Sequence, residues 1–257
     1  MVALPILLAI VWWAPAGAVV ALVAGATLAG ALELRRLLEL GGARPPLGAG
    51  SIAIVLFFAD PLLPASFPPL APIALLLLLT TSVLSGVEPE RGLPGTAATL
   101  LAVAYLGILG GQVAGLRVIP PEPDGRLRLL MLFAIVMTTD VSAYFAGFAF
   151  GRSPLAPHLS PKKTIEGALG GLVGGVIGAS LFAANFLPAL PALHAAGLGL
   201  AAASFGEVGD LFESSVKRWA HVKDSGHIFP GHGGMLDRLD GLLFGAPVLY
   251  YYFLYAA

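Results

Sequence analysis

Apolar stretches follow one another along almost the whole of this chain, interrupted by proline–glycine clusters and a few charges. A helix needs about 20 apolar residues to cross the hydrocarbon of a bilayer, and that criterion yields about nine candidate segments. They lie near residues 2–14, 16–33, 49–63, 68–86, 96–115, 128–150, 165–187, 191–209 and 239–256. The first and third are short for a full crossing. The sequence therefore predicts an all-α fold, a polytopic transmembrane helical bundle. Composition closes off a soluble globule: 11% of the 257 residues are charged and 57% are hydrophobic, where soluble domains carry about 25% charged residues. Lys+Arg number 14 against 15 Asp+Glu, a formal net charge of −1, so no basic excess is available for nucleic acid. Cysteine is absent, which excludes disulfides, thiolate-bound metals and thiol catalysis.

The apolar run Leu4–Trp13, followed by Ala14-Pro15-Ala16, has the look of a cleavable leader. A leader carries a positive n-region, and no Lys or Arg precedes Arg35; the segment reads as a retained first span. Placing the N-terminus in the cytoplasm and alternating puts Arg35, Arg36, Arg44, Arg91, Arg152, Lys162, Lys163, Lys217, Arg218, Lys223 and Arg238 inside. Arg117, Arg126 and Arg128 are left outside, a strong positive-inside bias. The C-terminus then lies outside.

Polar residues concentrate in one half. Residues 1–115 read as scaffold helices, with Glu33-Leu34-Arg35-Arg36 and Glu88–Arg91 as interfacial ends. Residues 116–257 read as the catalytic region, with two cytoplasmic polar loops at 151–164 and 210–240. Soluble anionic substrates would arrive at that face.

In the second loop, Asp210, Glu213, Ser214 and Lys217 fall at i, i+3, i+4 and i+7 of a continued helix and share one face. Carboxylates paired with Lys217 at an amphipathic helix end would explain that much. The following segment adds Lys223-Asp224, then His232-Gly233-Gly234, then Asp237-Arg238-Leu239-Asp240. The glycines let peptide N–H groups converge on an anion. Hard carboxylates without cysteine suit Mg²⁺, which keeps waters and shares few protein ligands with phosphate oxygens. Asp210 and Asp237 are the leading ligands, with Asp224 and Asp240 behind them, and a second cation is compatible. Lys217, Arg218, Lys223 and Arg238 would face the remaining phosphate charge.

The first loop contains Arg152 and Ser160-Pro161-Lys162-Lys163-Thr164. Pro161 suits the first turn of the next helix. Ser160, both lysines and Thr164 would then gather at a helix N-terminus, a phosphate site; positive-inside anchoring explains the lysines equally well. Asp140 stands within an otherwise apolar span, which costs about 2.5–3.5 kcal/mol on insertion scales and calls for a polar cavity. Glu207 needs the same explanation. Gly167, Gly171 and Gly175, with Gly170, Gly174 and Gly178, form two small-residue rows for helix packing.

These residues resemble the phosphatidate cytidylyltransferases. Ser215 through Asp240 fills that family's signature, including Lys217, Arg218, Lys223, Asp224, Gly226, His232, Gly233, Gly234, Asp237, Arg238 and Asp240. Ser160–Gly167, Asp140 with Ala143, Tyr144, Gly147 and Arg152, and Gly209-Asp210-Leu211 with Glu213-Ser214 are similar to further family segments. Glu207 departs from a position often held by glutamine. The first half agrees only as hydrophobic spans.

The resemblance implies Mg²⁺-dependent condensation of CTP with phosphatidic acid to CDP-diacylglycerol and pyrophosphate, in the inner membrane, by a homodimer. It assigns catalysis to Asp210, Lys217, Lys223, Asp237 and Arg238. Substrate contacts fall to Asp140, Arg152, Ser160, Lys162, Lys163, Thr164, Glu213, Ser214, Arg218, His232, Gly233 and Gly234. A CTP-using transferase or kinase acting on an isoprenoid phosphate or alcohol is the related alternative. An ion-coupled transporter using Asp140 and Glu207 is the non-enzymatic one, against which the one-sided polar distribution speaks.

Overall fold

The computed structural model describes residues 3–43, 45, 47–64, 66–120, 124–226 and 233–255. Arg44 and His232, singled out above, lie outside the described residues. The helices are α1 (Ala3–Trp13), α2 (Ala16–Leu40), α3 (Leu47–Ala59), α4 (Leu70–Leu84), α5 (Pro89–Ala102), α6 (Leu109–Val118), α7 (Asp124–Phe150), α8 (Ile165–Phe186), α9 (Ala192–Trp219) and α10 (Leu236–Tyr255). A π-helical stretch, Val103–Ile108, joins α5 to α6 without a break in the helix. Helix thus occupies every apolar stretch read from the sequence. Four helical stretches among the described residues are long and apolar enough to cross a membrane: Ala16–Leu40, Gly92–Val118, Asp124–Phe150 and Ile165–Phe186. Several helices outrun the expected segments, α2 to Leu40 and α9 to Trp219. Charges mark where a span leaves hydrocarbon, while the backbone hydrogen bonds continue into the interface.

Contacts divide the chain into two compact units. The first comprises Met1–Val19, Leu116–Ser215 and Asp240–Ala257. Its centre is the pairing of α7 with α8 along a glycine row. A Cβ on Gly170 would lie 2.2 Å from Ala146 Cβ, and one on Gly174 2.2 Å from Ser142 Oγ. The large residues Leu169, Val173, Ile177 and Leu181 face outward and are exposed. Small residues inward and large apolar residues outward is the arrangement expected where lipid, not water, surrounds the helix. The three arginines that the charge pattern leaves outside are consumed within this unit. Arg126 donates to Trp12 O at 2.9 Å and lies over the Trp12 ring. Arg117 donates to Ala14 O and Arg128 to Ile119 O and Pro120 O.

The second unit comprises Val20–Gly115 and Val216–Leu239. Here α3 packs on α4 and on the π-helical stretch. Close approach needs Gly107, where a Cβ would meet Phe57 Cβ at 3.0 Å and Ile54 O at 3.1 Å. The segment after α9 belongs to this unit. Helix α9 ends with His221 at φ 56°, and Val222 N–H returns to Lys217 O at 2.9 Å. That is a left-handed helix stop made without glycine.

One local expectation is corrected. Ser160–Thr164 is not a helical turn but the second strand of a hairpin, β2, paired antiparallel with β1 (Pro154–Ala156). Helix α8 begins only at Ile165, where the Thr164 hydroxyl oxygen accepts from Gly167 N at 3.1 Å. A residue before proline favours extended backbone, and a threonine N-cap fixes the start one residue later than its own position.

Candidate functional site

Within the first unit, α9 and α10 approach where their facing residues are smallest. A Cβ on Gly209 would lie 2.8 Å from Asp240 O and 2.8 Å from the Phe244 ring. Gly206 lies against Gly241 in ordinary contact, where a Cβ would be 3.6 Å from Gly241 O. This contact brings Asp240, near the start of α10, beside Asp210 and Glu213, one turn apart on α9. Carboxylate oxygens of the three lie within 4.8 Å of one another. Glu213 is buried, at 1% exposure. Three carboxylates this close repel one another unless a cation or a proton joins them.

The hairpin supplies part of the balance. Successive strand residues point to opposite faces, and the two lysines divide accordingly. Lys163 forms an ion pair with Asp210, while Lys162 is exposed. Glu166 closes the hairpin by accepting from the main-chain N–H groups of Arg152 at 3.1 Å and Ser153 at 3.2 Å. The Arg152 side chain is exposed and Ser160 is half-buried. Asp140 is exposed on α7. Glu207 is half-buried, its Oε1 set against Gly171, where a Cβ would lie 2.4 Å away.

The second unit holds a separate polar network around Asp237, in the first turn of α10. Its Oδ1 accepts from Lys217 Nζ at 2.6 Å. Its Oδ2 accepts from Gly234 N at 2.8 Å, Ser225 Oγ at 2.7 Å and Ser225 N at 3.2 Å. Gly233 sits at φ 81°, a conformation that glycine adopts without a Cβ penalty. It turns the chain so that Gly234 N–H meets the carboxylate. Lys223, Asp224, Arg218 and Arg238 are exposed; Ser214, on α9 in the first unit, is buried.

The sequence reading passed over two residues of this network. Glu33, on α2, is buried and accepts from Met235 N and Leu236 N at 2.9 Å each, and from Ser225 Oγ at 3.0 Å. Ser225 joins Glu33 to Asp237. The available signal was an acid near the end of an apolar span. Its ordinary meaning is an interfacial charge, and nothing in spacing ties residue 33 to residue 235.

The cytidylyltransferase family matches residues 1–256 of the chain. The phosphatidate cytidylyltransferase of Bacillus subtilis is 37% identical over 178 residues, which cover 69% of this chain and 65% of that protein. Its namesake in Brucella abortus is 43% identical over 174 residues, 68% of this chain and 60% of the relative. That of Thermotoga maritima is 36% identical over 199 residues, 72% and 70% respectively. The chain thus spans less than two thirds of the length of the first two relatives.

Proposed function

This chain belongs to the cytidylyltransferase family, and from that premise we propose that it is an integral-membrane enzyme transferring the cytidylyl group of CTP to phosphatidic acid. The products are CDP-diacylglycerol and pyrophosphate. The observation that carries this reading is the convergence of Asp210, Glu213 and Asp240, three acids from the segments that resemble the family.

The donor set fits Mg²⁺: three carboxylates offer hard oxygen ligands, and the chain has no cysteine thiolate to favour a softer metal. Asp210, Glu213 and Asp240 would hold the ion, which when bound neutralises CTP phosphate charge and eases departure of pyrophosphate. Asp237 is engaged by Lys217, Ser225 and Gly234, and its role here is to aim the Lys217 ammonium. Lys163, held by Asp210, and the exposed Lys162 serve as phosphate contacts, with Arg152, Ser160 and Thr164 beside them in the hairpin segment. Lys223, Arg218 and Arg238 bring further cationic charge to the polyanionic substrates.

In the reaction a phosphatidate oxygen bonds to the α-phosphorus of CTP as the bond from that phosphorus to the bridging oxygen breaks. The electron pair leaves with pyrophosphate. The nucleophile is already anionic, so the chain need supply no general base; it must bring two polyanions into line and offset their repulsion.

The proposal extends to nine spans, a cytoplasmic N-terminus, an external C-terminus, and a site facing the cytoplasm of an inner membrane. The lysine–arginine bias supports this orientation, as does internal use of the three outer arginines. The family resemblance implies a homodimer. Pyrophosphate release from CTP by the purified protein in detergent tests the reading, with phosphatidate, an isoprenoid phosphate and an isoprenoid alcohol offered separately. Release with phosphatidate alone supports it; release only with an isoprenoid acceptor replaces it with the related lipid reaction.

A further inference from the structure

Glu33 lies outside every segment that carries the family resemblance, yet it occupies a place built for a charge. The residue is buried, at 7% exposure. Oε1 accepts from Met235 N and Oε2 from Leu236 N, each at 2.9 Å. These N–H groups open α10, where a helix leaves donors unsatisfied and favours negative charge. Room is made on both sides by glycine: a Cβ on Gly226 would lie 2.3 Å from Glu33 Oε1, and one on Gly234 2.3 Å from Oε2. The Ser225 hydroxyl stands 3.0 Å from Glu33 Oε2 and 2.7 Å from Asp237 Oδ2. One hydroxyl proton therefore serves two carboxylates, and the pair Glu33–Asp237 brackets Ser225. All of these groups belong to the second unit.

We propose that Glu33 is a positioning residue for nucleotidyl transfer, clasping Ser225 to the start of α10 so that Asp237 holds the Lys217 ammonium in one place. This rests on the reading above that Lys217 acts on substrate phosphate. The clasp spans both ends of the segment between Gly226 and Gly234. Without it, the Ser225 and Gly234 donors to Asp237 lose their common anchor.

Glu33→Gln is the first variant. Glutamine keeps the size but turns an amide N–H₂ toward a main-chain N–H, so donor meets donor. Two readouts are taken on the full-length protein in detergent: amide exchange at Met235 and Leu236, and kcat and KM for CTP and phosphatidate. Expected are exchange and kcat each changed by about tenfold or more, the equivalent of one lost charged hydrogen bond. Glu39→Gln, about one and two thirds turns along α2 and paired with Arg35 at the exposed end, should leave both within about twofold. Ser225→Ala keeps the two amide bonds but removes the link to Asp237. It should lower kcat about tenfold with unchanged exchange at 235 and 236, and it carries the test should Glu33→Gln fail to fold.

Full kcat in Ser225→Ala, or wild-type kcat in Glu33→Gln despite faster exchange, would reduce Glu33 to a helix cap. Unchanged exchange in a folded Glu33→Gln would overturn the clasp itself. A wild-type protein without CTP turnover, in which Glu33→Gln still speeds exchange, would refute the transferase reading and leave the clasp standing.

Discussion

Replacing Asp237 by asparagine removes one charge from a pair whose side chains are only 14% and 15% exposed. The carboxylate accepts from Lys217 Nζ at 2.6 Å, Ser225 Oγ at 2.7 Å, Gly234 N at 2.8 Å and Ser225 N at 3.2 Å. Asparagine retains one acceptor oxygen. Its amide N–H₂ must face either the ammonium or the Ser225 and Gly234 donors, so at least one donor is left opposed. A charged hydrogen bond is worth about 1.5–3 kcal/mol, and a fully buried charge stripped of its partner costs about 3–5 kcal/mol. Residual exposure lets water recover part of this, so the expected loss is about 2–4 kcal/mol. Lys217→Met removes the other charge. The double variant should be less damaged than the two single losses together, by about 1–3 kcal/mol. Chemical unfolding in mixed micelles, run on all four proteins, reads the cycle. A single-variant loss below about 0.5 kcal/mol, or strict additivity, would make the pair a solvated surface contact and refute its role as a fixed ammonium holder.

Asp210→Asn and Asp240→Asn should each raise the Mg²⁺ concentration for half-maximal turnover at least as much as losing an outer-shell partner does, roughly 10–100-fold. A Mg²⁺ titration with unchanged midpoint would remove that residue from the metal site. Lys163→Ala should cost more in kcat/KM than Lys162→Ala, because only Lys163 pairs with Asp210 while Lys162 is exposed; full turnover in both would leave the hairpin as a topology anchor. A single cysteine at His158, in the hairpin and easily tracked because the chain has no other, should react with an impermeant maleimide only after cells are opened. Labelling of intact cells would reverse the proposed orientation.

The positions of the helices were legible because a 20-residue apolar run has few alternatives to helix in a membrane. Small-residue rows on α8 were likewise legible as packing faces, and Gly170 and Gly174 lie against Ala146 and Ser142. Spacing put Asp237 ahead of Asp240, which sits one turn further along α10. The nearness of Asp240 to Asp210 and Glu213 depends on Gly209 admitting Asp240 and Phe244 against α9, a tertiary fact with no local signature. The hairpin was misread because a proline before two lysines fits an extended strand as well as a helix start; Thr164 as N-cap decides it. Glu33 escaped altogether. An acid beside two arginines at a span end has an ordinary interfacial meaning, and its partners lie some two hundred residues downstream.

Transfer of label from CTP to lipid tests the central claim most directly. CTP carrying one label on its α-phosphate and another on its γ-phosphate is incubated with purified protein, Mg²⁺ and phosphatidate. Nucleotidyl transfer predicts the α-label in the lipid fraction and the γ-label in pyrophosphate, in equal amounts and only when phosphatidate is present. A γ-label in the lipid would instead show phosphoryl transfer by a kinase, and no lipid label at all would contradict the account outright.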